Sequence, residues 1–224
     1  MRAVPPYLDR PTAQPSDADS AVALPYGLSA AAVVAAVNDI HAYLYAMNSA
    51  SVEHGYQRLE ELMQPAAFSG MLSGLAVESM ARETEREGAH PGLRPNRYHN
   101  GRPDLVPRGT YPSDAVQHGD EGIEVKASRA VRGWQGHNIE VGWLMVVQFS
   151  TDTTTQPIYG RAPTTIERVM VASLDEADWS FSGRSATSRR TPTASVGPTG
   201  YAKLIVGAVY ERGRSAGQHP PDVT

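Results

Sequence analysis

The sequence predicts an α+β fold, a mixed β-sheet flanked by helices with a helical N-terminal half, and three observations carry that expectation. Helix-spaced apolar residues and capping signals fill residues 29 to 87. From residue 89 the texture changes to Pro, Gly and Asn punctuating short β-type runs. Helices thus come first and strands afterwards, the order of an α+β chain rather than of repeating βαβ units.

Each element has its own signal. Residues 1 to 28, rich in Pro, Asp, Ser and Ala without apolar periodicity, read as a loosely ordered, flexible N-terminal arm. Ser29 is an N-cap for a helix to about Asn48, and Ser51 caps a second through Tyr56, Leu59 and Met63 that ends before Pro65. A third helix runs from about Ala66 to Glu87 and stops at Gly88; on it Met71, Leu75, Glu78 and Arg82 share one stripe, which sets a carboxylate along an apolar face. Strands are expected at Asp104 to Val106, Gly122 to Ala127, Ile139 to Gln148, Ile166 to Ser173 and Tyr201 to Tyr210. A single domain over residues 29 to 215 and a C-terminal tail over 216 to 224 suit a chain of 224 residues.

Composition narrows the chemistry. There is no cysteine, so a disulfide framework and thiolate metal ligands are excluded, and any metal would be held by oxygen or imidazole. No apolar run approaches the roughly 20 residues of a membrane helix, and the first six residues lack the apolar stretch of a secretory signal, so a soluble, cytoplasmic chain without a membrane partner is expected. The net charge of -4 hides a gradient: eleven acidic residues face five basic ones over residues 1 to 93, whereas six basic face two acidic over residues 181 to 224. Of the 20 basic residues only Lys126 and Lys203 are lysines, so a lysine marks a place where a permanent arginine charge was not used.

The informative stretch is Pro103-Asp104-Leu105-Val106, a connection of turn residues, then Gly122-Ile123-Glu124-Val125-Lys126-Ala127. An antiparallel hairpin would bring Asp104 beside Glu124. Alternation puts Glu124 and Lys126 on one face of their strand and Ile123, Val125 and Ala127 on the other. Two carboxylates can hold a hard divalent ion. The lysine can orient an attacking water, stabilise emerging hydroxide, or lose a proton where a neighbouring metal depresses its pKa. A solvated strand face with a cross-strand charge pair would use the same residue types.

These residues resemble the PD-(D/E)xK nuclease superfamily, to which many type II restriction endonucleases belong. The likeness rests on Pro103-Asp104 and Glu124-Val125-Lys126, preceded by a helix with Gly74 and Glu78, and spans roughly residues 66 to 150. It implies a restriction-endonuclease-like fold and magnesium-dependent hydrolysis of double-stranded DNA, with manganese able to substitute. It further implies a homodimer offering one site per strand, with Asp104 and Glu124 as metal ligands, Lys126 at the attacking water and Glu78 as a further acid ligand of the metal. Glu78 could equally pair with Arg82 one turn on. A structure-specific or repair nuclease, or a catalytically silent DNA-binding module of the same fold, are the other expectations. Arg184, Arg189, Arg190 and Lys203 are the candidate DNA-binding cations, since arginines in a Ser/Thr/Gly segment suit phosphate contacts. His99, His118 and His137 match no metal-ligand spacing, and Trp134 and Trp143 read as core or anchoring residues.

Overall fold

A computed structural model describes residues 9 to 136, 139 to 181 and 194 to 214. Helix α1 (Ala30–Glu53) starts where Ser29 accepts a hydrogen bond from the Ala32 N–H at 2.9 Å, as its N-cap position dictates. Val33, Val37, Ile40 and Leu44 recur every three or four residues and form its buried face. The helix runs through Ser51 instead of ending before it, and the expected second helix shrinks to one turn, α2 (Leu59–Leu62). By length and composition α1 could cross a membrane, contrary to the sequence expectation, yet its apolar line is spent on the core.

Helix α3 (Pro65–Arg86) has proline at its first position and buries Phe68, Leu72, Ala76, Met80 and Glu83. The buried line therefore lies one residue beyond the expected stripe, and Glu78 and Arg82 face outward. Residues 9 to 28 are also unlike the expected loose arm. Ala13, Asp17 and Leu28 are buried, Asp17 accepts hydrogen bonds from the backbone of Gln14 and Gly213, and Ala18 bridges to Tyr210.

The strands are β1 (Leu93–Pro95), β2 (Leu105–Pro107), β3 (Ile123–Ser128), β4 (Gln135–Gly136), β5 (Gly142–Ser150), β6 (Thr165–Leu174), β7 (Trp179–Phe181), β8 (Ala194–Val196) and β9 (Ala208–Glu211). Six of them form a mixed sheet in the order β1-β2-β3-β5-β6-β9, in which β3 and β5 are parallel and every other pair antiparallel. A smaller sheet takes the order β4-β8-β7. The span expected as one strand from Tyr201 to Tyr210 is instead helix α4 (Pro198–Val206) followed by β9.

Alternation along the strands divides the interior in two. Ile123, Val125, Met145, Val147, Val169 and Val171 pack with α1 and α3 on one face of the large sheet. Leu144, Val146, Met170 and Ala172 pack on the other with Leu204 and Ile205 of α4 and with Trp134, Trp179 and Val196 around the small sheet. Glu124 is in register with Leu144 and Lys126 with Val146, so both charged side chains belong to this second face.

Candidate active site

The site begins with the β2–β3 hairpin. Leu105 pairs with Ile123, which sets Asp104 one residue before β2 against the start of β3. The strands approach closely there: a Cβ on Gly122 would lie 2.2 Å from the Leu105 carbonyl oxygen, and the backbone at Gly122 has φ +140. Only glycine meets both demands. Asn96 fastens the other side. Its backbone N–H donates to the Asp104 carbonyl at 2.8 Å, and its Nδ2 donates to the carbonyls of Pro103 and Val116 at 2.9 and 2.8 Å. Ser73 of α3 accepts the Ala127 N–H at 2.8 Å and ties the helix to the far end of β3.

On this frame Asp104 Oδ2 accepts the Val125 N–H at 2.8 Å, which leaves Oδ1 outside that bond. Lys126 Nζ lies 3.1 Å from Glu124 Oε1, and 3.1 and 3.0 Å from the two oxygens of Glu140. Glu140 was not among the residues singled out in the sequence. It arrives from the segment before β5, and its backbone is held by the Trp179 indole N–H, which donates to its carbonyl at 3.0 Å. Its only signal was an acid just ahead of an apolar β run.

Two acids thus pair with one ammonium in a partly buried place, with Asp104 within electrostatic reach, and the proton affinities follow. Burial raises the Asp104 carboxyl to about 6, with the Glu124 charge adding to it and the Val125 N–H and Lys126 opposing. Burial likewise pushes Glu140 up, and the charge of Lys126 offsets only part of this. Desolvation alone would lower Lys126, but the charges of Glu124 and Glu140 outweigh it and hold the ammonium above its ordinary range. In this arrangement Lys126 is held as a protonated cation that donates hydrogen bonds to Glu124 and Glu140.

Two clefts open beside the hairpin. The larger, about 710 Å³, runs between α3 and the loop after β1 and is lined by Gly70, Gly74, Glu78, Tyr98, His99 and Asp104. Glu78 therefore shares a cleft with Asp104, and Arg82 pairs with Asp39 and Glu83 instead of with it. The smaller cleft, about 300 Å³, includes Arg102, Glu124 and Glu140.

The remaining candidates fare differently. Lys203 lies on α4 with its ammonium 3.0 Å from Asp175 and 2.5 Å from Asp178, so its charge is already compensated within the fold. Arg184, Arg189 and Arg190 fall outside the described residues. Among the described residues no three His, Asp or Glu side chains stand close enough together to hold a metal unaided. Asp104 and Glu124 nonetheless suit a hard cation that takes its other ligands from water and phosphate, as magnesium does, since each keeps an oxygen outside the hydrogen bonds just described. Set against family models, curated proteins and solved structures, the chain gives no match.

Proposed function

We propose that this protein is a magnesium-dependent DNA endonuclease of the PD-(D/E)xK, restriction-endonuclease-like kind, hydrolysing phosphodiester bonds at Asp104, Glu124 and Lys126. The observation that carries this reading is the hairpin that sets Asp104 against a β-strand presenting Glu124 and Lys126 on one partly buried face, with an excess of negative charge around a single ammonium. Burying like charges together is unfavourable unless a cation or a reaction uses them.

Asp104 and Glu124 would hold the ion. Bound there, magnesium or manganese supplies positive charge to the scissile phosphate and a water of lowered pKa. Lys126, kept protonated by Glu124 and Glu140, donates hydrogen bonds that orient the attacking water and offset charge on the phosphoryl oxygens. Glu140 positions that ammonium. Glu78, which lines the larger cleft together with Asp104, is the further acid of the proposed site. The two-fold symmetry of a DNA duplex fits a homodimer with one site per strand. The basic segment over residues 181 to 224 is the proposed backbone-contacting part, with Lys203 withdrawn from it.

The test is digestion of plasmid DNA with magnesium, with manganese and with a chelator. Wild-type protein should cut only with the ions, while Asp104→Asn and Glu124→Gln should lose cutting and retain DNA binding. Cleavage by both variants at the parental rate would remove the assignment.

A further inference from the structure

Beside Glu124 and Glu140, the smaller cleft holds a cation and an apolar edge that the nuclease reading does not use. The cation is Arg102, whose backbone is pinned: its N–H donates to the Gln117 carbonyl at 3.0 Å and its carbonyl accepts the Gly119 N–H at 2.8 Å. The Arg102 side chain is partly buried, and among the described residues it makes no hydrogen bond and no ion pair, although its charge reaches Glu140. A guanidinium carries five donors in a planar fork that matches phosphate, and nearly every other partly buried cation around the hairpin is already paired. The same lining includes Ile139 and Val141, 38% and 64% exposed, together with Trp143.

The remaining polar groups narrow what can enter. Asp120, Glu124 and Glu140 repel an anion, and His118 stands at the exposed rim, so a phosphate in the cleft has Arg102 as its one strong protein partner. At about 300 Å³ the space lies at the small end of ligand sites, which run from about 300 to 1,000 Å³, and is suited to one nucleotide unit and not to a base pair.

We propose that this cleft seats a single nucleotide of the substrate strand, its phosphate on the Arg102 guanidinium and its base or sugar against Ile139 and Val141. The role as a substrate subsite rests on the nuclease reading; the binding of a nucleotide does not.

The experiment titrates thymidine 5′-monophosphate, thymidine and inorganic phosphate separately into the full-length, isotope-labelled protein without added metal, following Gly119, Gly122 and the Trp143 indole by NMR. The monophosphate should shift these resonances with an affinity at least about tenfold tighter than either fragment, because only it engages both the guanidinium and the apolar residues. Arg102→Ala should weaken monophosphate binding by about tenfold or more and leave thymidine unchanged. Should that variant misfold, Val141→Asp serves, since an exposed rim position tolerates the change and the added carboxylate repels phosphate. A monophosphate that binds no more tightly than thymidine and phosphate, or equally well to the wild type and both variants, overturns the proposal. If the monophosphate binds as expected but plasmid stays intact with magnesium, the nuclease reading falls and the nucleotide cleft stands. If plasmid is cut while both variants bind monophosphate like the wild type, the reverse holds.

Discussion

Among the described residues, the charge cluster around α2 and the one around β3 are built on opposite principles. Around α2, Arg58 and Arg161 meet Glu60 and Glu61: Arg58 is 1% exposed, lies 3.0 Å from Glu61, and also donates to the carbonyls of Asp152 and Ala162. Arg161 reaches the same Glu61 oxygen at 2.8 Å. Two cations and two anions balance, and although burial would raise Glu61, the hydrogen bonds from Arg161 and Arg58 hold its carboxyl below the ordinary range. Around β3, Glu124 and Glu140 share Lys126 while Asp104 feels its charge, and two of the three acids are pushed upward instead. The first cluster closes the fold over the residue 152 to 163 connection. The second remains short of positive charge, which is what the proposed binding of a cation there would offset.

The sharpest way to break the comparison is to remove one cation from the balanced cluster. Arg58→Met should cost about 3–5 kcal/mol, since it leaves buried carboxylates uncompensated. Urea unfolding would measure it. A loss below about 1 kcal/mol would mean that the pairing around α2 is incidental and the contrast between the clusters is not one of structure against function.

In the unbalanced cluster the corresponding change should act on rate, not folding. Lys126→Arg keeps the charge but replaces a compact ammonium, held between two carboxylates, with a wider planar fork. Single-turnover DNA cleavage should fall by roughly 10²-fold with unfolding midpoint and DNA affinity close to wild type. Glu140→Gln, which loosens one of the two anchors, should lower the same rate by about tenfold. Wild-type rates in both variants would reduce Lys126 to a strand cation.

The hairpin could be read from sequence because its signal is local: Pro-Asp opens one strand, and Glu124 and Lys126 alternate with Ile123, Val125 and Ala127 in the next. Glu140 could not, because it reaches Lys126 only through the parallel pairing of β3 and β5, a non-local register that no period announces. Glu78 was set on the buried line because Met71 and Leu75 are apolar, whereas packing against the sheet chose the neighbouring line of Leu72, Ala76 and Met80. In α4 the β-branched Ile205 and Val206 favour strand, yet Pro198 at the first helical position and Gly207 after the last are the stronger signals. The weak spacing of the short strands β4, β7 and β8 left the small sheet invisible, and with it the Trp179 contact that holds Glu140.

The smallest expected effect concerns stability and tests whether the negative excess is real. Asp104 has a folded-state value of about 6 against an ordinary 3.8, so between these pH values the folded protein keeps a proton that the unfolded chain releases. Folding is therefore unpenalised by this group below about pH 4, and the penalty grows as pH rises through 6. A shift of this size corresponds to at most about 3 kcal/mol, and partial exposure reduces the expectation to about 1–2 kcal/mol. Asp104→Asn keeps an oxygen for the Val125 N–H and removes the charge. In chelator at pH 8 the variant should unfold at higher urea than wild type by that amount, and the two should converge by pH 4. Magnesium at pH 8 should then stabilise the wild type and leave Asp104→Asn unmoved, because only the carboxylate gains from the ion. Glu61→Gln supplies the contrast, since a carboxyl held below its ordinary value loses stability on neutralisation at pH 8. If Asp104→Asn is instead destabilised at pH 8 like Glu61→Gln, Asp104 is a structural partner of β3 and the two clusters are of one kind.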